Sequence, residues 1–216
     1  MRDLPLAVGG SSYKTSFRVT VIGQDGGMRV GFGARDQQLV DVLAATKPAT
    51  SEDVRWRTAG HTLRMSAYCR PFPAVPERYV LSVRCFIRVG DALIVCENAD
   101  GTHVWPGGRR ESGETVAQTA VREVYEETGW VVDTESIRQV GLLHYHHLTP
   151  VAADHPYPHP DFCQLVIAAE ASRHASNPDT WTDTDGWEQR ARLVPLVDLA
   201  RLSLTAAERF FVDHVM

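Results

Sequence analysis

The sequence lacks the features that mark three common classes of protein. No stretch approaches the roughly 20 consecutive apolar residues that cross a bilayer, so a transmembrane helix is not expected. Residues 1–10 contain no basic start followed by a long apolar run, which argues against a secretory signal. The formal net charge of −5 lacks the basic excess of a general nucleic-acid binder. These absences predict a cytoplasmic protein with neither membrane nor nucleic-acid partners.

Cysteine is also scarce, because the 216 residues contain only four, at positions 69, 85, 96 and 163. No two of them form a CxxC pair, so the sequence predicts neither a zinc knuckle nor a redox motif. Cysteines spread this widely are typical of buried apolar side chains in a reducing compartment. Disulfide bonds are the alternative interpretation.

Apolar residues make up 44% of the chain, enough for one large domain or for one domain with an appendage. The first part of the chain predicts a small β-β-α-β unit. Phe17–Ile22, Met28–Phe32 and His61–Cys69 have the composition or alternation of strands, and Gln38–Ala45 has apolar residues at helical spacing. We therefore expect a β-rich N-terminal extension.

A boundary is predicted at Arg70–Pro76, where three prolines stand in seven positions. Proline removes a backbone donor and fixes φ, so this segment is typical of a connector. The division gives an extension over residues 1–77 and a main domain over residues 78–216. A proline-rich loop inside a single domain is the alternative.

The main domain contains both predicted strands and predicted helices. Its first two apolar runs are separated by Gly90-Asp91, a pair that suits a type II′ hairpin turn. The elements expected in chain order are a strand pair at Tyr79–Val89 and Ala92–Glu97, a helix at Val116–Thr128, strands at Gly141–Leu148 and Cys163–Ala171, and helical pieces at Leu196–Leu202 and Thr205–Val215.

The most informative segment begins with Pro106-Gly107-Gly108, a bend that lets backbone pass close to another group. The helix that follows has an apolar face, because Ala117, Ala120, Val121 and Val124 recur at helical spacing. That face is expected to pack on a sheet.

Three carboxylates share a second face of this helix, since Glu123, Glu126 and Glu127 stand at i, i+3 and i+4. Carboxylates this close repel each other unless a cation neutralises them, and oxygen ligands suit Mg²⁺ or Mn²⁺. Mg²⁺ usually takes phosphate oxygens as further ligands, so the junction of bend and helix predicts a pyrophosphate site. The alternative is a solvated acidic face on which Arg122 makes local ion pairs.

This segment resembles the signature of Nudix hydrolases, Gly-x5-Glu-x7-Arg-Glu-U-x-Glu-Glu-x-Gly-U with U apolar. All nine defined positions fit, and they are Gly108, Glu114, Arg122, Glu123, Val124, Glu126, Glu127, Gly129 and Trp130. The resemblance implies an α/β/α sandwich with a mixed sheet. A looser resemblance covers roughly residues 78–216 and leaves residues 1–77 outside.

The resemblance also implies the chemistry, which is attack of water on a phosphorus atom of a small nucleotide-type substrate. Glu123, Glu126 and Glu127 would hold Mg²⁺ or Mn²⁺, which lowers the pKa of the attacking water. Glu114 would add a ligand or an anchor, and the backbone carbonyl of Gly107 another ligand. The catalytic residues would include Arg122, which orients the carboxylates, and Glu126 or Glu127 as the proton acceptor.

Candidate substrate-binding residues lie around this segment. Gly108 belongs to the bend, and Trp105 before it is placed to stack on a base, with a core position as the alternative. Tyr145 lies 16 residues after Gly129, near the position where dinucleoside polyphosphate hydrolases of the family carry a tyrosine. We expect it beside the cleft.

Later in the chain, Glu170 and Glu188 are candidates for a fourth metal-binding carboxylate, although an ordinary surface position fits each of them. His144 and His146 would share a face of a strand and would need His155 or His159 to complete a zinc site. Polar residues lining a cleft are the alternative interpretation of these histidines.

Two other functions remain open at this point. A ligand-sensing module would keep the fold and lose the chemistry, but the motif is intact and no basic helix is attached. An isoprenoid diphosphate isomerase would need a catalytic cysteine and metal-binding histidines that do not map onto this chain. The sequence leaves the exact substrate open, and it leaves a homodimer open as well.

Overall fold

A computed structural model describes residues 30–31, 34–56, 61–69, 73–152 and 158–215. Within these ranges the helices are α1 (Gln37–Ala44), α2 (Val116–Thr128) and α3 (Ala206–Val215). The same ranges contain the strands β1 (Val30–Gly31), β2 (Thr50–Trp56), β3 (His61–Cys69), β4 (Val80–Val89), β5 (Ala92–Asn98), β6 (Gly101–His103), β7 (Trp130–His147), β8 (Val151–Ala152), β9 (Asp161–His174) and β10 (Arg190–Pro195). Short 3-10 helices lie at Glu77–Tyr79, Pro178–Thr180 and Leu196–Arg201.

Eight strands form one mixed sheet in the order β10-β5-β4-β9-β7-β3-β2, with β6 attached to β5. Strands β4 and β9 are parallel, and the other neighbouring pairs are antiparallel. Strands β1 and β8 pair with each other in a separate two-stranded sheet. The first strand of the main domain, β4, therefore lies inside the sheet, between β5 and β9.

Helices cover both faces of the mixed sheet. Leu142 and Leu143 are consecutive on β7 and so point to opposite faces. Leu142 belongs to the apolar cluster of Leu39 in α1, whereas Leu143 belongs to the cluster of Phe211 in α3. The clusters under α1 and α2 both contact Leu165 of β9, so these two helices share a face. The architecture is an α/β/α sandwich with a mixed sheet, as the resemblance implied.

Helix α2 has the bounds that its sequence predicts. It begins with a capping box, in which the Thr115 hydroxyl accepts the N–H of Gln118 and the Gln118 side chain accepts the N–H of Thr115. It ends at Gly129, whose left-handed conformation turns the chain toward β7. The helix that carries the three glutamates is thus fixed at both ends by local sequence.

The other expected elements of the main domain form with shifted ends. Strands β7 and β9 are longer than the segments expected at Gly141–Leu148 and Cys163–Ala171. Strands β6 and β10 were not expected. In the first part of the chain β3 matches its expected bounds and α1 matches to within one residue, whereas β2 was not expected. The strand expected at Phe17–Ile22 lies outside the described residues.

The first part of the chain extends the sheet of the main domain. Strand β3 pairs with β7, from Leu63 opposite His147 to Cys69 opposite Gly141. A carboxylate oxygen of Glu52, on β2, accepts the backbone N–H of Ala207 in α3 at 3.1 Å. The sheet is therefore continuous across the expected boundary near residue 77, and the division into two parts stays a prediction.

The cysteines are free thiols in this structure, three of them buried and Cys69 partly buried. Their placement agrees with the expectation of apolar core positions. None of the helices in the described ranges combines the length and the apolar character needed to cross a membrane.

Candidate active site on helix α2

The bend at Pro106–Gly108 lies directly against β4. The backbone N–H of Val83 donates to the carbonyl of Gly108 at 3.0 Å, and that of Cys85 donates to the carbonyl of Pro106 at 2.8 Å. Gly107 has a φ of +143°, and a Cβ at this position would overlap the carbonyl oxygen of Val83. Only glycine allows the chain to pass this close to the strand. The bend therefore holds the start of the site against the sheet.

Gly108 leaves room for a carboxylate. A Cβ at Gly108 would collide with both oxygens of Glu123, which come from helix α2. The Glu123 side chain is only 13% exposed. The absence of a side chain at Gly108 thus allows an acidic group to sit beneath the bend.

Arg122 connects the acidic residues of the motif. Its guanidinium donates to both carboxylate oxygens of Glu114, at 2.7 and 3.0 Å, and to Glu123 and Glu126, at 2.9 and 3.0 Å. It also donates to the backbone carbonyl of Arg109 at 2.8 Å. Hydrogen bonding to Arg122 lowers the pKa of Glu114 to about 2. One guanidinium thus orients three carboxylates and keeps Glu114 ionised.

Glu127, which follows Glu126 on α2, is the fourth carboxylate at the bend. One of its carboxylate oxygens accepts the backbone N–H of Gly107 at 2.8 Å. Burial raises the pKa of Glu127 to about 8, and the negative charges of Glu188 and Glu123 act in the same direction. Burial also raises the pKa of Glu123. Two neighbouring carboxylates that are costly to ionise fit a site for a divalent cation.

Arg84 is a member of this site that the sequence did not indicate. Its guanidinium donates to the carbonyl of Gly107 at 2.6 Å and to the side-chain oxygen of Gln164 at 3.3 Å. Its positive charge lowers the pKa of both Glu127 and Glu123. The sequence offered one signal for this residue. Arg84 is the only charged residue in the otherwise buried segment from Val83 to Ile87, and a charge in such a segment is unusual unless it has a partner.

The carbonyl of Gly107, expected as a metal ligand, thus accepts a hydrogen bond from Arg84. A carbonyl oxygen has two lone pairs, so this bond leaves one of them for a cation.

Trp105 and Tyr145 lie in the apolar core on the α3 side of the sheet. Trp105 is 8% exposed and meets Phe86 edge to face, with ring centroids 5.9 Å apart. Tyr145 is 5% exposed and stacks on Phe162 at a centroid distance of 4.8 Å. These positions match the core alternative for Trp105 and place Tyr145 in the same cluster. Their substrate-binding roles stay predictions.

Of the two later glutamates, only Glu188 lies near the motif among the residues described. It is buried, and its charge contributes to the raised pKa of Glu127. Glu170 is exposed on β9, where it pairs with Arg88 of β4. Arg88 is four residues beyond Arg84, or about 13 Å along the strand, so Glu170 lies far from the bend.

The paired histidines meet a carboxylate on the α1 side of the sheet. His144 Nε2 lies 2.8 Å and His146 Nδ1 lies 3.1 Å from the same oxygen of Asp161. Arg35 donates two hydrogen bonds to this carboxylate. The arrangement is an ion-pair network in which Asp161 already has an arginine partner, and His155, one of the expected third zinc ligands, lies outside the described residues.

A model of the NUDIX domain matches residues 78–215, well over half of the chain. The chain belongs to the Nudix family. The matched range includes every residue of the motif, from Gly108 to Trp130. A comparison with curated proteins found no match.

Solved Nudix structures resemble the chain at low identity. The pyrophosphohydrolase BsRppH of Bacillus subtilis is 20% identical, with 76% of this chain and 90% of that chain covered and a TM-score of 0.44. A NUDIX hydrolase from Nitrosomonas europaea is 21% identical, with 56% and 74% covered and a TM-score of 0.41. The MutT NUDIX hydrolase from Burkholderia pseudomallei is 15% identical, with 63% and 98% covered and a TM-score of 0.45.

Proposed function

We propose that this Nudix protein is a divalent-cation-dependent hydrolase that cleaves a phosphoanhydride bond in a nucleoside diphosphate derivative. The observation that carries the proposal is the pair of carboxylates of Glu123 and Glu127 at the glycine bend, one beneath Gly108 and the other bonded to Gly107. Burial opposes the ionisation of both. A solvated acidic surface would not have these properties, so the arrangement favours a cation site.

Glu123, Glu126 and Glu127 are the residues that would hold Mg²⁺ or Mn²⁺. Such an ion, when bound, polarises phosphate oxygens and lowers the pKa of the attacking water. Both oxygens of Glu114 are bonded to Arg122, so Glu114 acts as an anchor in this arrangement. The carbonyl of Gly107 is a further candidate ligand.

The remaining steps depend on the chain's own side chains. Arg122 fixes the direction of Glu123 and Glu126 through hydrogen bonds of 2.9 and 3.0 Å. Glu126 or Glu127 accepts the proton of the attacking water. Arg84, at the carbonyl of Gly107, provides a positive charge beside the place where the substrate phosphates would lie.

Hydrolysis is favoured over ligand sensing alone because six residues of the motif lie together at the bend, namely Gly108, Glu114, Arg122, Glu123, Glu126 and Glu127. A protein that only senses a ligand has no need for three carboxylates held by one guanidinium. It also has no need for a further carboxylate and a second guanidinium, those of Glu127 and Arg84, hydrogen-bonded to Gly107. The nucleotide itself is left to experiment, since Trp105 and Tyr145, the residues expected from the sequence to contact the substrate, lie in the core.

The decisive experiment is a panel of nucleoside diphosphate derivatives and nucleotides incubated with Mg²⁺ or Mn²⁺, with phosphate and pyrophosphate release as the measurement. Chelation should abolish turnover, and Mg²⁺ or Mn²⁺ should restore it. Turnover that survives exhaustive chelation would contradict the proposal.

The kcat values of two matched variants distinguish an active-site carboxylate from an ordinary surface carboxylate. Glu127→Gln keeps the acceptor for the N–H of Gly107 but removes the charge, and it should lower kcat roughly 100-fold or more. Glu170→Gln removes an exposed charge far from the bend and should leave kcat unchanged. Equal activity of the two variants would show that the acidic face is ordinary surface.

A further inference from the structure

A second group of metal-ligand side chains lies outside the motif. Cys96 on β5, His103 on β6 and Glu188 just before β10 each offer a ligand atom, and these atoms lie within 4.8 Å of one another. Cys96 is fully buried, and the side chains of Glu188 and His103 are 2% and 15% exposed. Three separate elements thus bring sulfur, nitrogen and oxygen to one buried point.

The hydrogen bonds of this cluster are incomplete. His103 Nε2 and the side-chain amide of Asn98 both lie against one oxygen of Glu188, at 3.0 and 2.9 Å. Among the described residues, the other oxygen of Glu188 and the Nδ1 atom of His103 have no hydrogen-bond partner, although both atoms are buried. A buried polar atom without a partner is costly, so the cluster has capacity for a further group.

The spacing and chemistry match a transition metal. Two ligand atoms of a tetrahedral zinc site, each about 2.0 Å from the ion, lie about 3.3 Å apart, so ligand atoms that already lie within 4.8 Å of one another need only small side-chain movements to bind one ion. Thiolate and imidazole select borderline-soft ions such as Zn²⁺, whereas Mg²⁺ requires oxygen ligands. The ligand set therefore differs in kind from the three glutamates of α2.

We propose that Cys96, His103 and Glu188 form a binding site for one Zn²⁺-type ion, separate from the carboxylates of α2. On binding, the S–H bond of Cys96 breaks, a sulfur–metal bond forms and the proton passes to solvent. His103 binds as neutral imidazole and Glu188 as carboxylate. Asn98 stays in place as a donor that orients Glu188.

An ion at this site would connect two separate parts of the chain. Strand β6 has three residues and, within the described part of the chain, pairs with β5 alone. An ion between His103 and Glu188 would fix this short strand to the segment that leads into β10. The proposal does not depend on hydrolase activity, because its ligands are not those of the motif.

The test is a titration of the full chain with Co²⁺, which reports thiolate ligation through a charge-transfer band in the near ultraviolet. One equivalent of Co²⁺ should produce the band, and Zn²⁺ should displace it while excess Mg²⁺ does not. Cys96→Ser should abolish the band. Cys69→Ser, which alters a partly buried thiol on β3, should retain it.

Two further variants keep the test decisive if Cys96→Ser does not fold. Glu188→Gln and His103→Gln should each weaken Co²⁺ binding roughly 10- to 100-fold. Glu126→Gln, which changes a proposed ligand on α2, should bind Co²⁺ at this site as the parent does, so loss of hydrolysis and loss of the band are distinguishable. A parent chain without the band at one equivalent, or Glu188→Gln and His103→Gln variants with unchanged affinity, would overturn the proposal.

Discussion

Arg35 donates two hydrogen bonds, each of 2.9 Å, to the carboxylate of Asp161 across a sequence separation of 126 residues. The same carboxylate lies within 3.1 Å of a ring nitrogen of His144 and of His146. Asp161 is the first residue of β9, the strand beside β4, so the contact joins the N-terminal part of the chain to the Nudix sheet. The ion pair between Arg35 and Asp161 therefore connects the two parts of the chain that the sequence separates near residue 77.

Replacing Asp161 should therefore destabilise the whole fold. Burial alone would raise the pKa of Asp161, but hydrogen bonds from His144 and Arg35 outweigh it and hold the pKa well below its usual range. A lowered folded pKa means that the carboxylate contributes stability above the unfolded pKa of about 3.9, and that this is lost as pH falls toward the folded value. Asp161→Asn should lower the free energy of unfolding at pH 7 by about 2 kcal/mol.

Urea denaturation at several pH values checks both parts of this prediction. The difference between parent and Asp161→Asn should stay constant from pH 7 to about 5 and shrink below pH 4. Asp53→Asn is the matched control, because Asp53 pairs with Arg64 on the exposed surface and such pairs contribute little. Equal losses for Asp53→Asn and Asp161→Asn would contradict a special role for the buried carboxylate.

The two glycines of the bend should respond differently to alanine. At Gly107 the added Cβ meets the backbone of Val83, and its φ of +143° disfavours any side chain, so Gly107→Ala should reduce stability by roughly 1–3 kcal/mol. At Gly108 the Cβ meets only the end of the Glu123 side chain, which can move away. Gly108→Ala should keep its stability and lose activity because Glu123 is displaced.

Thermal unfolding and kcat together test this contrast. The expected pattern is a lowered Tm for Gly107→Ala, with a Tm near that of the parent and a reduced kcat for Gly108→Ala. Full activity in Gly108→Ala would show that the position of Glu123 beneath the bend does not matter for turnover.

Replacing Arg84 should change the affinities for Mg²⁺ and for the nucleotide in opposite directions. Arg84→Met keeps the apolar stem but removes the positive charge that acts on Glu123 and Glu127. Half-saturation should then need less Mg²⁺, because repulsion between the guanidinium and the cation is lost. The KM of the nucleotide should rise about tenfold, the scale of one hydrogen bond to a charged group.

Arg88→Met is the matched control for this measurement. Arg88 lies on the same strand but bonds the carbonyl of Gly90 at the hairpin turn. Its replacement should change neither the Mg²⁺ requirement nor KM. If Arg84→Met leaves both quantities as in the parent, Arg84 acts only in holding Gly107.

Those parts of the site that are determined by residues close together in the sequence could be predicted. Thr115 and Gly129 determine where α2 begins and ends, and the spacing of its glutamates follows from the helix period. The nine positions of the motif fall within 23 residues, so no long-range contact was needed to find them. Arg122 was expected to orient the carboxylates; it forms ion pairs with Glu114, Glu123 and Glu126, and its role in catalysis stays a prediction.

Elements that depend on distant partners were not predictable in the same way. Strand β2 begins Thr50-Ser-Glu-Asp, a sequence typical of a loop, and becomes a strand because β3 supplies its hydrogen-bond partners. Arg84 gains its role from Gly107, 23 residues later in the chain. Asp161 meets Arg35 only because the sheet order places their segments together.

Tyr145 requires a test that separates packing from binding. Its ring stacks on Phe162 with planes 5° apart, inside the cluster that also contains Leu143 and Phe211. Tyr145→Ala should therefore create a cavity and cost about 3–5 kcal/mol of stability, whatever its effect on substrate. Tyr145→Phe keeps the stacked ring and removes only the hydroxyl, so it isolates any contact of that hydroxyl with the nucleotide.

Kinetics of Tyr145→Phe across the nucleotide panel then decide the substrate-binding role expected from the sequence. If the hydroxyl bonds a phosphate of the bound substrate, KM should rise several-fold while kcat stays near the parent value, because the lost interaction is present in both ground state and transition state. Phe162→Leu is the companion variant, since it disturbs the stack from the other side. A KM that changes in Phe162→Leu but not in Tyr145→Phe would assign Tyr145 to the core alone, because the nucleotide would then respond to packing and not to the hydroxyl.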